Sequence, residues 1–395
     1  MSIRLVHVVT SPLFLNFLEG HVLYLRDKGF DQFVICSPGD LLDRFVNRTK
    51  VVGYSVDIPR DIKVSQGLQA LHRLWRLFRR IQPHIVHTHT PQASFVGMIA
   101  STLCRTPVRI HHNHGLPHLS AVGLKRVVLR YSEKVCCQLS HRVLHVSKSV
   151  ADVAIQENLC APHKVKVLAN GSITGVDAIH RFHSERFPRE ELRTRRLQLR
   201  IPENAVVVGF VGRLVRFKGV TELSSAWMKL RQDYPDLHLL IVGDFERHDP
   251  VPLTVRQRLY GDPRVHLTGW VPDTSPYYPL MQIFVLPSYH EGLPCTLLEA
   301  AAMELPVVAT RIPGNVDAVE DEVTGLLVPP RDAQALEQAI RRYLDSPALR
   351  QQHGKAGRER VLRLFRQEVV WEALYNEYMD LLRQRGILLA EEHAR

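Results

Sequence analysis

The chain of 395 residues is 45% hydrophobic and 23% charged, which excludes a disordered chain and leaves enough apolar mass for two cores. The formal net charge of +11 sits entirely in residues 1–180, which hold 22 Lys and Arg against 11 Asp and Glu; the rest balances at 29 of each. Six scattered cysteines without a Cys-x-x-Cys pair argue against a disulfide framework or a zinc ribbon and suit a reducing compartment.

In chain order, residues 3–9 (IRLVHVV) predict a buried strand, followed by a loop at Thr10–Pro12 and a helix from about Leu15 to Lys28 that Gly29 ends. FVICS (33–37) predicts the next strand. Residues 67–81 have helical period, with Leu68, Leu71, Leu74, Trp75 and Phe78 on one side and His72, Arg73, Arg76, Arg79 and Arg80 elsewhere. Pro83 stops this helix. HIVHTH (84–89), a helix near 92–104, the strand VRIHH (108–112), a helix from about Val122 to Leu139, and the strands RVLHVS (142–147) and VKVLAN (165–170) follow. Strand and helix alternate throughout, the pattern of a parallel sheet covered on both faces.

Between Arg181 and Pro202 the composition shifts to Arg and Glu, which suggests a connection at 181–204 with a short helix. The alternation then restarts with VVVGFVG (206–212), a helix at 219–233, HLLIVG (238–243), VHLTG (265–269), IFVLPS (283–288), a helix at 294–303, PVVAT (306–310) and GLLVP (325–329). Helices near 332–345 and 347–361 and a last one from about Gln367 to Arg385 complete the chain. The expected fold is therefore α/β, with two doubly wound domains: residues 1–180, completed by the last helix, and residues 205–366.

The stretch from Met1 to Leu18 is broken by His7, Thr10, Ser11, Pro12 and Asn16 and lacks a cleavage site, so no signal peptide is expected there. The window Pro83–Cys104 carries three histidines and is not a membrane span. The expectation is a cytoplasmic protein whose basic first half meets an anionic partner, either a membrane surface, a phosphorylated lipid or nucleic acid; a merely solvated basic surface is the bland alternative. Lys125, Arg126, Arg130 and Lys134 would supply the positive side of the 122–139 helix. No RNA- or DNA-reading motif accompanies the charge, so nucleic acid is not expected.

The residues that carry chemistry fall into three clusters. In PSYHEGLPCTLLEAAAMELPVVAT (287–310) a strand ends at Ser288, and a loop with Glu291 and Gly292 leads to a helix opened by Pro294 and carrying Glu299. The free N–H groups of that first turn suit a diphosphate, and two carboxylates suit the paired hydroxyls of a sugar and a ribose; the alternative is a solvated surface loop. In GFVGRLVRFKG (209–219), Gly212 ends a strand, and Arg213 and Lys218 are fixed cations able to neutralise a leaving diphosphate, or else a solvated basic loop. In HHNHG (111–115), His114 precedes Gly115 at a strand's carboxyl end. With His87 and His89 these histidines make no recognised metal-ligand spacing, and no metal is expected; packing or hydrogen-bonding roles are expected for His87, His89, His111 and His112. Neither a dinucleotide GxGxxG at the first strand nor a P-loop motif is present.

Together these clusters resemble the family-4 retaining glycosyltransferases of the GT-B fold, across nearly the whole chain. The Glu-x7-Glu signature is Glu291 to Glu299, the phosphate-site Arg and Lys match Arg213 and Lys218, and HIVHTHTP followed by a strand and HG places His114 at the family's catalytic-region histidine. NGSITGVD (170–177), PGNVDAVED (313–321) and TGLLVPPRD (324–332) are similar to members acting in bacterial surface-polysaccharide synthesis. The resemblance implies two domains facing across a cleft and no metal or other cofactor, the co-substrate being a nucleoside-diphosphate sugar, with UDP the commonest base in the family. It further implies that Arg213 and Lys218 bind the diphosphate, Glu299 the ribose and Glu291 the donor-sugar hydroxyls. Backbone of Gly212, Gly292, Leu293 and Pro294 would lie near sugar and phosphate, Val271 and Ser288 near the nucleotide, and His114 near the transferred sugar. Many members have a glycine-rich turn after the first strand; here it reads TSPLFLNFLEG, without glycine before Gly20.

The implied reaction moves a hexose or N-acetylhexosamine to an acceptor hydroxyl, with a polyprenyl-diphosphate-linked glycan at the inner membrane face as the acceptor. A sugar-nucleotide 2-epimerase of the same fold and a nucleotide-sugar-binding module without catalysis are the competing readings. Acceptor-dependent release of nucleoside diphosphate separates the three.

Overall fold

The computed structural model describes residues 2–59 and 64–387. The chain forms two units, one of residues 1–174 with 367–395 and one of residues 175–366. Each contains a fully parallel sheet.

In the first unit the elements run β1 (Ile3–Val8), α1 (Leu15–Asp27), β2 (Phe30–Cys36), α2 (Asp40–Thr49), β3 (Val52–Ser55), α3 (Val64–Ile81), β4 (Ile85–Thr88), α4 (Pro91–Leu103), β5 (Val108–Asn113), α5 (Gly123–Leu139), β6 (Arg142–His145), α6 (Lys148–Gln156) and β7 (Val165–Val167). The sheet order is β3-β2-β1-β4-β5-β6-β7, so the winding reverses between β1 and β4. Ligands of such sheets bind at the carboxyl ends of the strands flanking that reversal. Ala70, Leu74 and Phe78 of α3 are buried with Val6, Val8, Val86 and Met98, so the apolar side of this helix faces the core and its arginines face out; Leu68, expected on the apolar side, is exposed.

The second unit holds α7 (Arg189–Gln198), β8 (Val206–Val211), α8 (Val220–Asp233), β9 (Leu237–Val242), α9 (Leu253–Gly261), β10 (Val265–Leu267), β11 (Ile283–Leu286), α10 (Cys295–Ala302), β12 (Val307–Thr310), α11 (Asn315–Ala318), β13 (Gly325–Val328), α12 (Ala333–Asp345) and α13 (Pro347–Leu364). Its sheet order is β10-β9-β8-β11-β12-β13, with the reversal between β8 and β11. The Arg- and Glu-rich segment after Arg181 belongs to this unit. Arg196 of α7 donates to the carbonyls of Pro202, Glu203, Ala205 and Leu280, which ties the helix down through main-chain acceptors although it buries no side chain. The helix starts have ordinary chemistry: Asp332 accepts from the N–H groups of Gln334 and Ala335 to open α12, and Pro347 follows the Ser346 cap of α13.

A last helix, α14 (Gln367–Gln384), belongs to the first unit. Leu374, Tyr378, Leu381 and Leu382 bury against Leu5, Phe30, Ile85 and Ile110. Glu377, buried within this interface, pairs with Arg142 at 2.6 Å and with Lys166, so the carboxylate is satisfied by cations on β6 and β7. Among the described residues no helix is long and apolar enough to cross a membrane, and all six cysteines are unpaired.

Candidate functional site

The carboxyl edge of the second sheet gathers two of the predicted clusters. β8 ends at Val211, and Gly212 hands the chain to Arg213 and a short turn, Arg216–Lys218. Gly219 then opens α8 with φ +72, a left-handed conformation that glycine adopts without steric cost. A Cβ at Gly219 would stand 2.0 Å from the carbonyl oxygen of Pro287, which follows β11. The glycine therefore lets the loop after β8 press on the loop after β11, and the Tyr289 N–H donates to the Phe217 carbonyl at 2.7 Å to lock the pair.

This approach brings Lys218 to Glu291. Their Nζ and Oε1 atoms are 2.5 Å apart, and the side chains are only 14% and 11% exposed, so the pair is shielded from bulk water and held in one geometry. Phe217 supports it, its ring stacked 4.3 Å from that of His290 and lying under both Lys218 and Arg213. Arg213 itself is more exposed and pairs with Glu246 at 3.1 Å. Glu291, which the family resemblance assigns to the donor-sugar hydroxyls, is thus engaged by a cation, and a ligand would share or displace that contact.

Gly292, Leu293 and Pro294 are buried and lead into α10, whose first main-chain hydrogen bond runs from the Leu297 N–H to the Pro294 carbonyl at 3.1 Å, so the helix has no carbonyl to offer the N–H groups ahead of it. Ser288 is buried; its carbonyl accepts from Thr310 Oγ1 at 2.5 Å while its own hydroxyl has no partner. Glu299 accepts from the buried Tyr278 hydroxyl at 2.6 Å, and burial holds its carboxyl above the usual carboxylate range. Val271 is half-buried on the loop after β10, two residues beyond Gly269, whose carbonyl accepts from the Gly243 N–H at 3.0 Å. Sequence reasoning missed Gly219, Tyr278, Thr310 and Phe217 as supports. Only Gly219 had a local signal, a glycine at the first position of the helix predicted over 219–233.

Gly219→Ala combines a left-handed backbone with a clash against main chain, so the variant is expected to lose at least about 2 kcal/mol, or several degrees in the unfolding transition of the second unit. A thermal melt followed by circular dichroism checks it.

In the first unit the reversal point is walled by histidines. His114 Nε2 lies 3.3 Å from His89 Nδ1, and His89 Nε2 lies 3.1 Å from His7 Nδ1. Burial pushes the His114 imidazole down to about 3, so it is neutral at physiological pH. The loop after β1, where the expected glycine-rich turn is absent, is filled by Phe14, whose ring centroid is 5.0 Å from that of His114. On the opposite face of β5, buried Glu133 accepts from Asn113 at 2.6 Å and pairs with His111 at 2.8 Å, while Asn113 Oδ1 accepts from the Gly115 N–H at 2.9 Å. That network fixes the main chain on either side of His114. The hydrogen-bonding expectation for His87, His89 and His111 is met by partners Tyr378, His7 with His114, and Ser94 with Glu133, respectively.

Comparison with known proteins agrees with this architecture. Residues 19–171 match the family model of the glycosyl transferase 4-like domain, and residues 205–346 match that of glycosyl transferases group 1, together about three quarters of the chain. The chain is 28% identical over 381 residues to the capsular polysaccharide biosynthesis glycosyltransferase CapM of Staphylococcus aureus, covering 96% of this chain and 98% of that one. It is 26% identical over 355 residues to the UDP-Gal:alpha-D-GlcNAc-diphosphoundecaprenol alpha-1,3-galactosyltransferase of Escherichia coli, covering 88% and 89%. In fold it superposes on Anabaena HepE, solved with UDP and glucose, with a TM-score of 0.80 and 19% identity over 96% of this chain and 100% of that one. Two parallel-sheet units, a cation–carboxylate pair at the reversal point of the second, and matches spanning both units place the chain in the GT-B glycosyltransferases of group 1, among the relatives of bacterial surface-polysaccharide enzymes.

Proposed function

We propose that the chain transfers a hexose or N-acetylhexosamine, with retention at the anomeric carbon, from a UDP-sugar to a polyprenyl-diphosphate-linked glycan during assembly of a cell-surface polysaccharide. The observation that carries the donor side is the shielded Lys218–Glu291 pair at the carboxyl edge of the second sheet, where ligands of doubly wound folds bind. The diphosphate would lie against Lys218, Arg213 and the first turn of α10, with Gly212 and Gly292 close to it. Glu299 would accept from the ribose hydroxyls, Val271 and Ser288 would flank the nucleotide, and Glu291 would accept from the donor sugar beside Leu293 and Pro294. HepE, of like fold, is solved with UDP and glucose, and the Escherichia coli relative is named for a UDP-sugar and a lipid-diphosphate acceptor.

In this reading the glycosidic C–O bond to the leaving phosphate breaks as the acceptor oxygen bonds the same face of the sugar, and the phosphate oxygen takes the acceptor proton. No protein nucleophile is needed. Lys218 and Arg213 stabilise charge on the departing diphosphate, so the transfer draws on fixed cations rather than a metal. His114, neutral and held by His89, would hold a hydroxyl of the transferred sugar.

Thermal unfolding with UDP, GDP or dTDP in the presence of EDTA tests the donor site. UDP is expected to raise the transition by several degrees when present at a hundred times its Kd, equivalent to about 2.7 kcal/mol. No shift with any nucleotide would defeat the proposed donor site.

The acceptor side rests on α5. Val122, Leu124, Val127 and Tyr131 are 83%, 78%, 61% and 69% exposed, and Lys125, Arg126, Arg130 and Lys134 are exposed among them. Apolar side chains ringed by cations suit an anionic leaflet, at about 1 kcal/mol per basic residue near the surface. The protein is expected to sediment with phosphatidylglycerol vesicles in low salt and not with phosphatidylcholine vesicles, and Leu124→Asp with Val127→Asp should cut binding at least five-fold. Equal binding to both vesicle types, or none to either, would remove the membrane from the proposal.

A further inference from the structure

Alternation along parallel strands puts five imidazoles on one face of the first sheet. His7 stands on β1, His87 on β4 with His89 just past it, and His112 on β5 with His114 just past it, and the register pairs His7 with His87 and Thr88 with His111. His21 of α1 covers them, its ring centroid 5.2 Å from that of His7. Five of the six are buried and His114 is half-buried. A core position would ordinarily be filled by hydrocarbon, and a buried polar atom without a partner costs about 1–3 kcal/mol. Yet His7 Nε2, His87 Nε2, His112 Nδ1, His114 Nδ1 and both nitrogens of His21 have none.

We propose that His89, His112 and His114 bind a transition-metal ion of the zinc type. One nitrogen from each lies within 4.8 Å of the others, and the 3.3 Å between His89 Nδ1 and His114 Nε2 equals the separation of about 3.3 Å expected for two nitrogens on one zinc at about 2.0–2.1 Å. Three neutral imidazoles with no carboxylate select a borderline ion over Mg²⁺ or Ca²⁺. The contact of His89 Nε2 with His7 Nδ1 supplies the outer hydrogen bond that orients a ligating imidazole.

Two other groups of candidate ligands are less suited. His7, His87 and His89 also converge, but all three are closed off from solvent, which leaves an ion neither a path nor a solvated position. His111, Glu133 and Cys137 converge on the other face of β5, but there His111 and Glu133 already satisfy one another together with Ser94 and Asn113. Of the three groups, only the triad with His114 has a member that is not fully buried. An ion there and the sugar assigned to His114 above would compete for one side chain, a consequence that rests on that assignment; the site itself does not.

The test is titration of EDTA-stripped, untagged full-length protein with Co²⁺, without any nucleotide sugar. A visible d–d band saturating at one equivalent per chain and displaced by Zn²⁺ is expected. His112→Ala should weaken Co²⁺ binding at least ten-fold and His21→Ala should leave it within two-fold, with circular dichroism confirming that each variant is folded. His114→Ala, at the half-buried rim, serves as the second ligand variant should His112→Ala fail to fold. Absence of a stoichiometric band, or a band that survives loss of either ligand in a folded protein, overturns the site.

Discussion

Lys218→Ala is expected to lower turnover at least ten-fold, about 1.4 kcal/mol of barrier, measured as acceptor-dependent release of nucleoside diphosphate. The geometry gives two reasons. Alanine removes a cation from the edge where the leaving diphosphate would gain charge, and the other cation assigned to that edge is not similarly shielded: Arg213 is 55% exposed and tied to Glu246. It also leaves Glu291, 11% exposed, a shielded carboxylate without the ammonium 2.5 Å away. The two effects separate by a second variant. Glu291→Gln keeps a hydrogen-bond acceptor for Lys218 and the cation itself, so it should weaken donor binding while leaving more turnover than Lys218→Ala. Unchanged turnover in Lys218→Ala would sink the role given to that residue, whatever its effect on stability.

What the sequence showed of this site follows from how local each interaction is. Arg213, Lys218, Glu291 and Glu299 lie in short segments with their own strand, turn and helix signals, and they were readable with their surroundings. The contact between Lys218 and Glu291 was not, because it spans 73 residues and depends on sheet order, which places β8 beside β11. The same holds for His87 and Tyr378, 291 residues apart, whose 2.6 Å contact exists only because α14 docks on the first sheet. The repeat of two in His87 and His89, and again in His112 and His114, was visible along each strand; that His7 and His21 join them was not, since one sits on β1 and the other on a helix. Several short elements were passed over: α2 and β3 lie in a stretch of mixed character between predicted units, and α6 and α9, at nine residues each, are too short for a strong helical period. The Arg-rich segment near 190 read as a connection because α7 buries no side chain, so it lacks an apolar stripe; main-chain carbonyls hold it instead.

The histidine-lined core should make the first unit acid-labile well above the range where carboxylates titrate. His21 and His145 are each 1% exposed, and burial lowers them to about 3 and about 4, respectively, from 6.5. The folded-state values are depressed, so between those values and 6.5 the unfolded chain binds protons that the folded one refuses. Stability is therefore complete above about pH 6.5 and falls as the pH drops below it, by about 1.4 kcal/mol per unit for each such histidine. At pH 5 these two alone remove about 4 kcal/mol, a large part of the 5–15 kcal/mol typical of a domain. Their neighbours do not cancel the effect. Glu133 favours a charged His145, but His111 opposes it, and His21 faces the equally neutral His7. Glu133, whose carboxyl is held down to about 2 by His111 and Asn113 against its burial, adds a loss of the same sign only below about pH 4.5. With EDTA present, and with Trp227 and Trp270 replaced by phenylalanine so that fluorescence reports Trp75 and Trp371 of the first unit, the urea midpoint should fall steeply from pH 7 to pH 5. His21→Leu should flatten that slope by the share of one proton. A midpoint that stays level across this window would mean that the imidazoles find partners for their protonated forms, and the reading of this core as neutral would be wrong.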